Sequence, residues 1–154
     1  MRTFFVTEFV SLDGVVEAPG GEEGYRHSGW TFDIEDDPAR YDFKAEETFG
    51  TQTPAVGPND PTWHNTTEVR DLDAVRALKA GDGGPIAVHG SATLARALHS
   101  SRLVDQWNLM LFPVILGSGK RLFPTDTESK QKLTLRETRT FTNGVQLSIC
   151  QPSG

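Results

Sequence analysis

The alternation of hydrophobic and polar positions is clearest at the start of the chain. Residues 2–10 read RTFFVTEFV, with Phe4, Val6 and Glu8 on one face and Phe5, Thr7 and Phe9 on the other. Apolar side chains on both faces predict an interior strand covered on two sides. It runs into Ser11-Leu12-Asp13-Gly14, where glycine permits a sharp turn. The stretch 17–29, EAPGGEEGYRHSG, is too rich in glycine for a regular element and predicts a long loop, a kind that is usually functional or mobile. Residues 39–48, ARYDFKAEET, predict a helix with a thin apolar stripe at Tyr41, Ala45 and Thr48. The acidic run Glu35-Asp36-Asp37 before it reads as a solvated helix start.

Further along, residues 50–61, GTQTPAVGPNDP, fit no regular element, and 63–69 fit a short strand. Asp71 predicts the cap of a helix running to Lys79, with Leu72, Val75 and Leu78 on one stripe. Residues 85–89, PIAVH, predict a short buried strand. Ser91 then caps a second helix, 92–99, with Leu94 and Leu98 facing inward. Strands follow at 104–115, 132–140 and 145–150, the last two joined through Asn143-Gly144, a hairpin signal. Helices alternating with strands, then an antiparallel pair, predict an α/β fold with a mixed sheet.

Composition narrows the function classes. The 154 residues suit one domain, taken here as 1–154. A net charge of -6 argues against nucleic-acid binding, which needs a basic face. No apolar run reaches the ~20 residues of a membrane helix. The first residues lack a signal peptide's apolar block, so the expected location is cytoplasmic. The single cysteine, Cys150, excludes an internal disulfide, and the four scattered histidines give no metal-binding spacing.

Three segments are candidates for chemistry, each with an ordinary alternative. At the strand–Gly90-Ser91–helix junction, open backbone N–H groups suit an anion, and Thr93 adds a hydroxyl. The same residues also make a plain capped turn, and His89 beside them reads as a structural imidazole. Ser11 to Gly14 sit at a strand's carboxyl end, where α/β sheets bind ligands, but Asp and Gly are also common turn residues. Gly117-Ser118-Gly119-Lys120-Arg121 is either a closing loop for an anionic ligand or a solvated one. No serine lies in a hydrolase nucleophile setting.

Taken together, EFVSLDGVVEAPGG (8–21), GPIAVHGSATLARAL (84–98), LVDQWNLMLFPVILGSGKRLF (103–123) and RTFTNGVQL (139–147) resemble the dihydrofolate-reductase-like family. Its type here is the C-terminal reductase domain of bacterial riboflavin biosynthesis. The resemblance implies a mixed, mostly parallel central sheet flanked by helices, with a C-terminal antiparallel hairpin. It implies NADPH as cofactor, hydride transfer to a small pterin- or pyrimidine-type heterocycle, and a homodimer. Cofactor phosphates map to His89, Gly90, Ser91, Ala92 and Thr93. Substrate contacts map to Ser11, Leu12, Gly14, Gly117, Ser118 and Gly119, with Asp13 as the catalytic position that orients substrate. Asp13 is the only plausible acid in the matched Ser11–Gly14 motif, and bound water is an equal candidate for the proton donor.

One departure stands out. Relatives carry an apolar strand and a Gly-Arg-x-Thr helix start after the helix matching 39–48, then a further strand. This chain passes through 50–61 instead and contains no Gly-Arg pair. The comparison predicts a sheet short of two strands. It also leaves an alternative function, a shortened non-catalytic ligand-binding or oligomerising module.

Overall fold

A computed structural model describes residues 1–50, 69–123, 125 and 130–154. Its elements, in chain order, are β1 (Phe4–Ser11), a 3-10 turn (Trp30–Asp33), α1 (Pro38–Gly50), α2 (Leu72–Ala80), β2 (Ile86–His89), α3 (Ala92–Ser100), β3 (Gln106–Phe112), β4 (Leu133–Thr140) and β5 (Gln146–Pro152). The expected linker over 50–61 and the strand over 63–69 fall almost wholly outside the described residues.

The sheet has five strands in the order β2-β1-β3-β5-β4. β1 runs parallel to β2 and to β3, while β5 lies antiparallel to β3 and β4. The two-faced apolar pattern of β1 has its cause here. Phe4, Val6 and Val10 pack with Ile86, Val88, Ala95, Leu98 and Trp107 under α2 and α3. On the other face Phe9 joins Trp30, Phe43, Met110 and Phe112 beside α1. No helix among the described residues is long and apolar enough to cross a membrane.

Helix starts follow the capping logic. The Asp71 side chain accepts from Ala74 N at 2.8 Å, and the Ser91 hydroxyl accepts from Leu94 N at 3.3 Å. Gly144, at φ 85°, turns the β4–β5 hairpin.

Three expectations about buried faces need correction. In α3 it is Ala95 and Leu98 that are buried, while Leu94 is exposed. In α2 Leu72 and Val75 touch the core and Leu78 is exposed. In α1 Tyr41 and Ala45 face solvent, and the inward face is Arg40, Phe43, Lys44 and Glu47. This face keeps helical spacing but shifts by one position and carries mostly charge, because the sheet beneath it offers polar partners. Nor is Asp37 solvated. It is buried, its Oδ1 accepts from Ala39 N at 2.9 Å, and its Oδ2 accepts from Thr142 N at 2.8 Å and Thr142 Oγ1 at 2.6 Å. These donations hold its carboxyl below the usual range and fasten the start of α1 to the β4–β5 turn.

Candidate functional site

Strand register opens the site. β2 pairs with β1 only from Phe4 to Thr7, whereas β3 follows β1 as far as Ser11. Beyond Thr7, the β2 side of β1 has no strand neighbour among the described residues. Gly90 N reaches back to Thr7 O at 3.4 Å, and there the chain leaves β2 for α3. A cavity of about 240 Å³ fills the gap, lined by Thr7, Glu8 and Phe9 of β1, Lys44 of α1, His89 and Gly90 after β2, and Pro19, Gly20 and Glu22 of the glycine-rich loop. It lies at the carboxyl ends of two parallel strands, the usual ligand position in α/β sheets.

A buried polar network supports the floor. Thr7 and Asn108 are register partners on β1 and β3 and both meet α1. The Thr7 hydroxyl donates to Glu47 Oε2 at 2.9 Å, and Asn108 Nδ2 donates to Glu47 Oε1 at 2.6 Å. Lys44 Nζ donates to Glu47 Oε2 at 3.0 Å and to Thr7 Oγ1. It also stands 5.0 Å from the centre of the Phe9 ring. Burial pulls the Lys44 ammonium down, and Glu47 and Glu8 pull it back.

Glu8 stands apart from this network. It is 4% exposed, and its Oε1 is buried without a hydrogen-bond partner. Burial pushes its carboxyl from 4.5 up to about 7, against the opposing pull of Lys44. His89 is pulled below the usual imidazole range, first by burial and then by Lys44, so it is neutral at pH 7.

Gly90 and the start of α3 form the second wall. Gly90 has φ 73° and Ser91 φ 65°, two successive left-handed residues. A Cβ on Gly90 would meet nothing within 4 Å, so open space adjoins its backbone. The first four N–H groups of a helix lack partners within it. Ser91 takes those of Leu94 and Ala95, the latter through its carbonyl at 2.9 Å. The N–H groups of Ala92 and Thr93 remain at the helix start, and an anion's oxygens fit that donor set.

The other matched segments assemble elsewhere, where β1 and β3 end. Asp13 Oδ1 accepts from Ser11 Oγ at 2.6 Å and Leu116 N at 3.1 Å, and Oδ2 accepts from Gly117 N at 2.8 Å. Burial raises the Asp13 carboxyl, but these donations and that of its own N–H outweigh it and bring it to about 2. Asp13 is therefore ionised at neutral pH and ties the Ser11–Gly14 turn to the 116–119 loop. Val16 N to Lys120 O and Leu122 N to Gly14 O, each 2.9 Å, strengthen the same junction. The Gly14 N–H donates to Ser11 O at 2.9 Å, and Leu12 is exposed.

This junction also holds the cavity wall. The Tyr25 hydroxyl donates to Ser118 O at 2.6 Å, and Thr31 Oγ1 donates to Pro19 O at 2.6 Å. The glycine-rich loop is thus anchored at both ends of the segment that lines the cavity. Gly119 makes the approach possible. It has φ 119°, and a Cβ there would lie 2.7 Å from Val15 Cγ1 and 2.9 Å from the Tyr25 hydroxyl. Gly119→Ala is expected to cost about 1–3 kcal/mol in urea denaturation, through strain and a displaced Tyr25. An unchanged midpoint would show that the two loops do not depend on each other.

The structure thus brings His89 and Gly90 to the cavity, with Ser91, Ala92 and Thr93 following at the helix start. Ser11, Asp13, Gly14, Gly117, Ser118 and Gly119 form the supporting junction. The sequence motifs assign no role to Glu8, Lys44, Glu47 or Asn108. The spacing Arg40, Phe43, Lys44, Glu47 was the available signal for α1.

A parallel β2-β1-β3 unit with an antiparallel hairpin on one edge and helices on both faces is the dihydrofolate-reductase-like architecture. The profile of the RibD C-terminal domain family matches residues 41–147, more than half of the chain. The chain belongs to that family of dihydrofolate-reductase-like reductases. It is 39% identical over 74 residues to the uncharacterized protein YyaP of Bacillus subtilis (strain 168), a stretch covering 48% of this chain and 39% of that protein. Its fold resembles a putative riboflavin biosynthesis protein from Shewanella sp. PV-4, with TM-score 0.65 and 16% identity, covering 99% of this chain and 100% of the other. It also resembles dihydrofolate reductase from Enterococcus faecalis, solved with NADP(H) and RAB-propyl, with TM-score 0.56 and 12% identity over 99% and 97% of the chains.

Proposed function

We propose that this protein is an NADPH-dependent reductase of a small pterin- or pyrimidine-type heterocycle. The observation that carries the reading is the shared cavity, with a glycine-led helix start on one wall and a buried carboxyl with a lysine on another. Ala92 and Thr93 would receive cofactor phosphate through backbone N–H groups, with Gly90 allowing close approach. Bound NADPH supplies a hydride; the remaining work falls to side chains of this chain. Phe9 and Pro19 exclude water from the cavity, Lys44 sets its charge, and the Asp13 junction fixes the loop that closes it. The cavity's volume suits a small ring rather than a large extended ligand. On the same reading the protein is a cytoplasmic homodimer.

Fluorescence titration with NADPH tests the reading. Wild-type protein is expected to bind, and Gly90→Val to weaken binding by more than about tenfold while the fold persists. Gly90→Ala carries the same left-handed strain with less bulk, so intermediate binding would separate occlusion from strain. Unchanged binding by Gly90→Val would remove the phosphate from this helix start. The absent Gly-Arg pair favours the second reading, a non-catalytic module. NADPH binding without turnover of pterins or pyrimidines would support it.

A further inference from the structure

We propose that Glu8 is the acid of this site, giving its proton to a ring nitrogen or carbonyl oxygen of the heterocycle held in the cavity. The proposal rests on the reductase reading. Among the described residues, Glu8, which lines the cavity, and Glu47, in the network behind it, are buried carboxyls that are differently employed. Glu47 accepts from Thr7, Lys44 and Asn108, so both of its oxygens are engaged within the protein. Glu8 is equally buried and lines the cavity, but its Oε1 accepts nothing. A carboxylate oxygen buried without a donor is costly, and protonation removes that cost.

The charged and titratable groups around the cavity are few. Lys44 faces it from α1 with Glu47 paired behind it, His89 from the end of β2, and Glu22 from the glycine-rich loop. Lys44 is engaged with Glu47 and Thr7 and only partly offsets the burial of Glu8. Asp13 is ionised and occupied by the loop junction, so it has no proton to give.

The step balances simply. When a C=N bond is reduced, carbon gains a hydride from NADPH, which leaves as NADP⁺. The Glu8 O–H bond breaks, the N–H bond forms, and Glu8 is left as a carboxylate near the Lys44 ammonium. Water then returns the proton. Lys44 stabilises the transient carboxylate, and burial favours its reprotonation.

The test reads binding and titration rather than turnover. Dihydropterin, which carries a reducible C=N bond, is titrated calorimetrically at pH 6 and pH 8, and the Glu8 carboxyl is followed by carbon NMR. Wild-type affinity is expected to fall about tenfold between those values, because the protonated fraction falls by that factor around pH 7. Glu8→Gln, whose amide donates at every pH, is expected to bind without pH dependence. Glu8→Leu is expected to lose binding. A flat wild-type profile, a carboxyl titrating near 4.5, undiminished binding by Glu8→Leu, or no dihydropterin binding by wild type would each overturn the assignment. NADPH binding separates the two claims. If wild type binds NADPH and any of those results appears, Glu8 alone fails; if it binds no NADPH, the reductase reading fails and the donor role with it.

Discussion

Lys44→Leu is expected to destabilise the protein by about 3–5 kcal/mol, the largest effect of any single change proposed here. Lys44 and Glu47 lie 3.0 Å apart with both side chains largely out of water. Removing the ammonium leaves a buried carboxylate with only the Thr7 and Asn108 donations. The pair's own net contribution is small, because both charges gave up hydration to form it. Hence the double variant Lys44→Leu, Glu47→Leu is expected to recover at least half of the loss. The midpoint of thermal unfolding should fall by roughly 10 °C in the single variant and by much less in the double. Equal losses in both would mean that the two residues act independently.

The second large effect runs with pH. The folded-state carboxyl of Glu8 stands at about 7 against an ordinary 4.5. The folded protein therefore holds a proton that the unfolded chain releases. The associated stability is fully present below about pH 4.5 and is lost as pH rises through about 7. The shift corresponds to about 3 kcal/mol. Glu8→Gln removes the ionisation, so it should be about 2–3 kcal/mol more stable than wild type at pH 8.5 in urea denaturation and gain nothing at pH 4. His89 does not imitate this trend, since its depressed pKa penalises the folded state toward acid instead. A variant no more stable than wild type at pH 8.5 would show that Glu8 ionises freely.

Much of the sheet was legible because its signals are local. Two-sided apolarity marked β1 as interior, Asp71 and Ser91 marked helix starts, and Asn143-Gly144 marked the hairpin. The inward face of α1 was hidden because periodicity is read through apolar residues, and this helix packs Arg40, Lys44 and Glu47 inward. Thr7 and Asn108 explain Lys44 and Glu47, but their pairing spans two strands that only the folded sheet places side by side. Glu8 was visible as a polar residue on an apolar face. Its cavity was not, because it arises where β2 stops pairing at His89 while β1 continues.

Asp13 shows the converse. Motif and strand end singled it out, and the structure uses its carboxylate fully, in three donations that join two loops. A motif locates a residue without telling whether its bonds go to a ligand or to the chain. That depends on Leu116 and Gly117, over one hundred positions away.

The central claim is that the cavity beyond β2 holds the heterocycle, and that the α3 start beside it holds the phosphate of the dinucleotide. Amide chemical shifts recorded during an NADPH titration test it most directly. The account predicts saturable shifts at Gly90, Ser91, Ala92 and Thr93, with smaller ones at Thr7, Glu8 and Gly20. Shifts confined to the β4–β5 hairpin, or none at saturating NADPH, would contradict it.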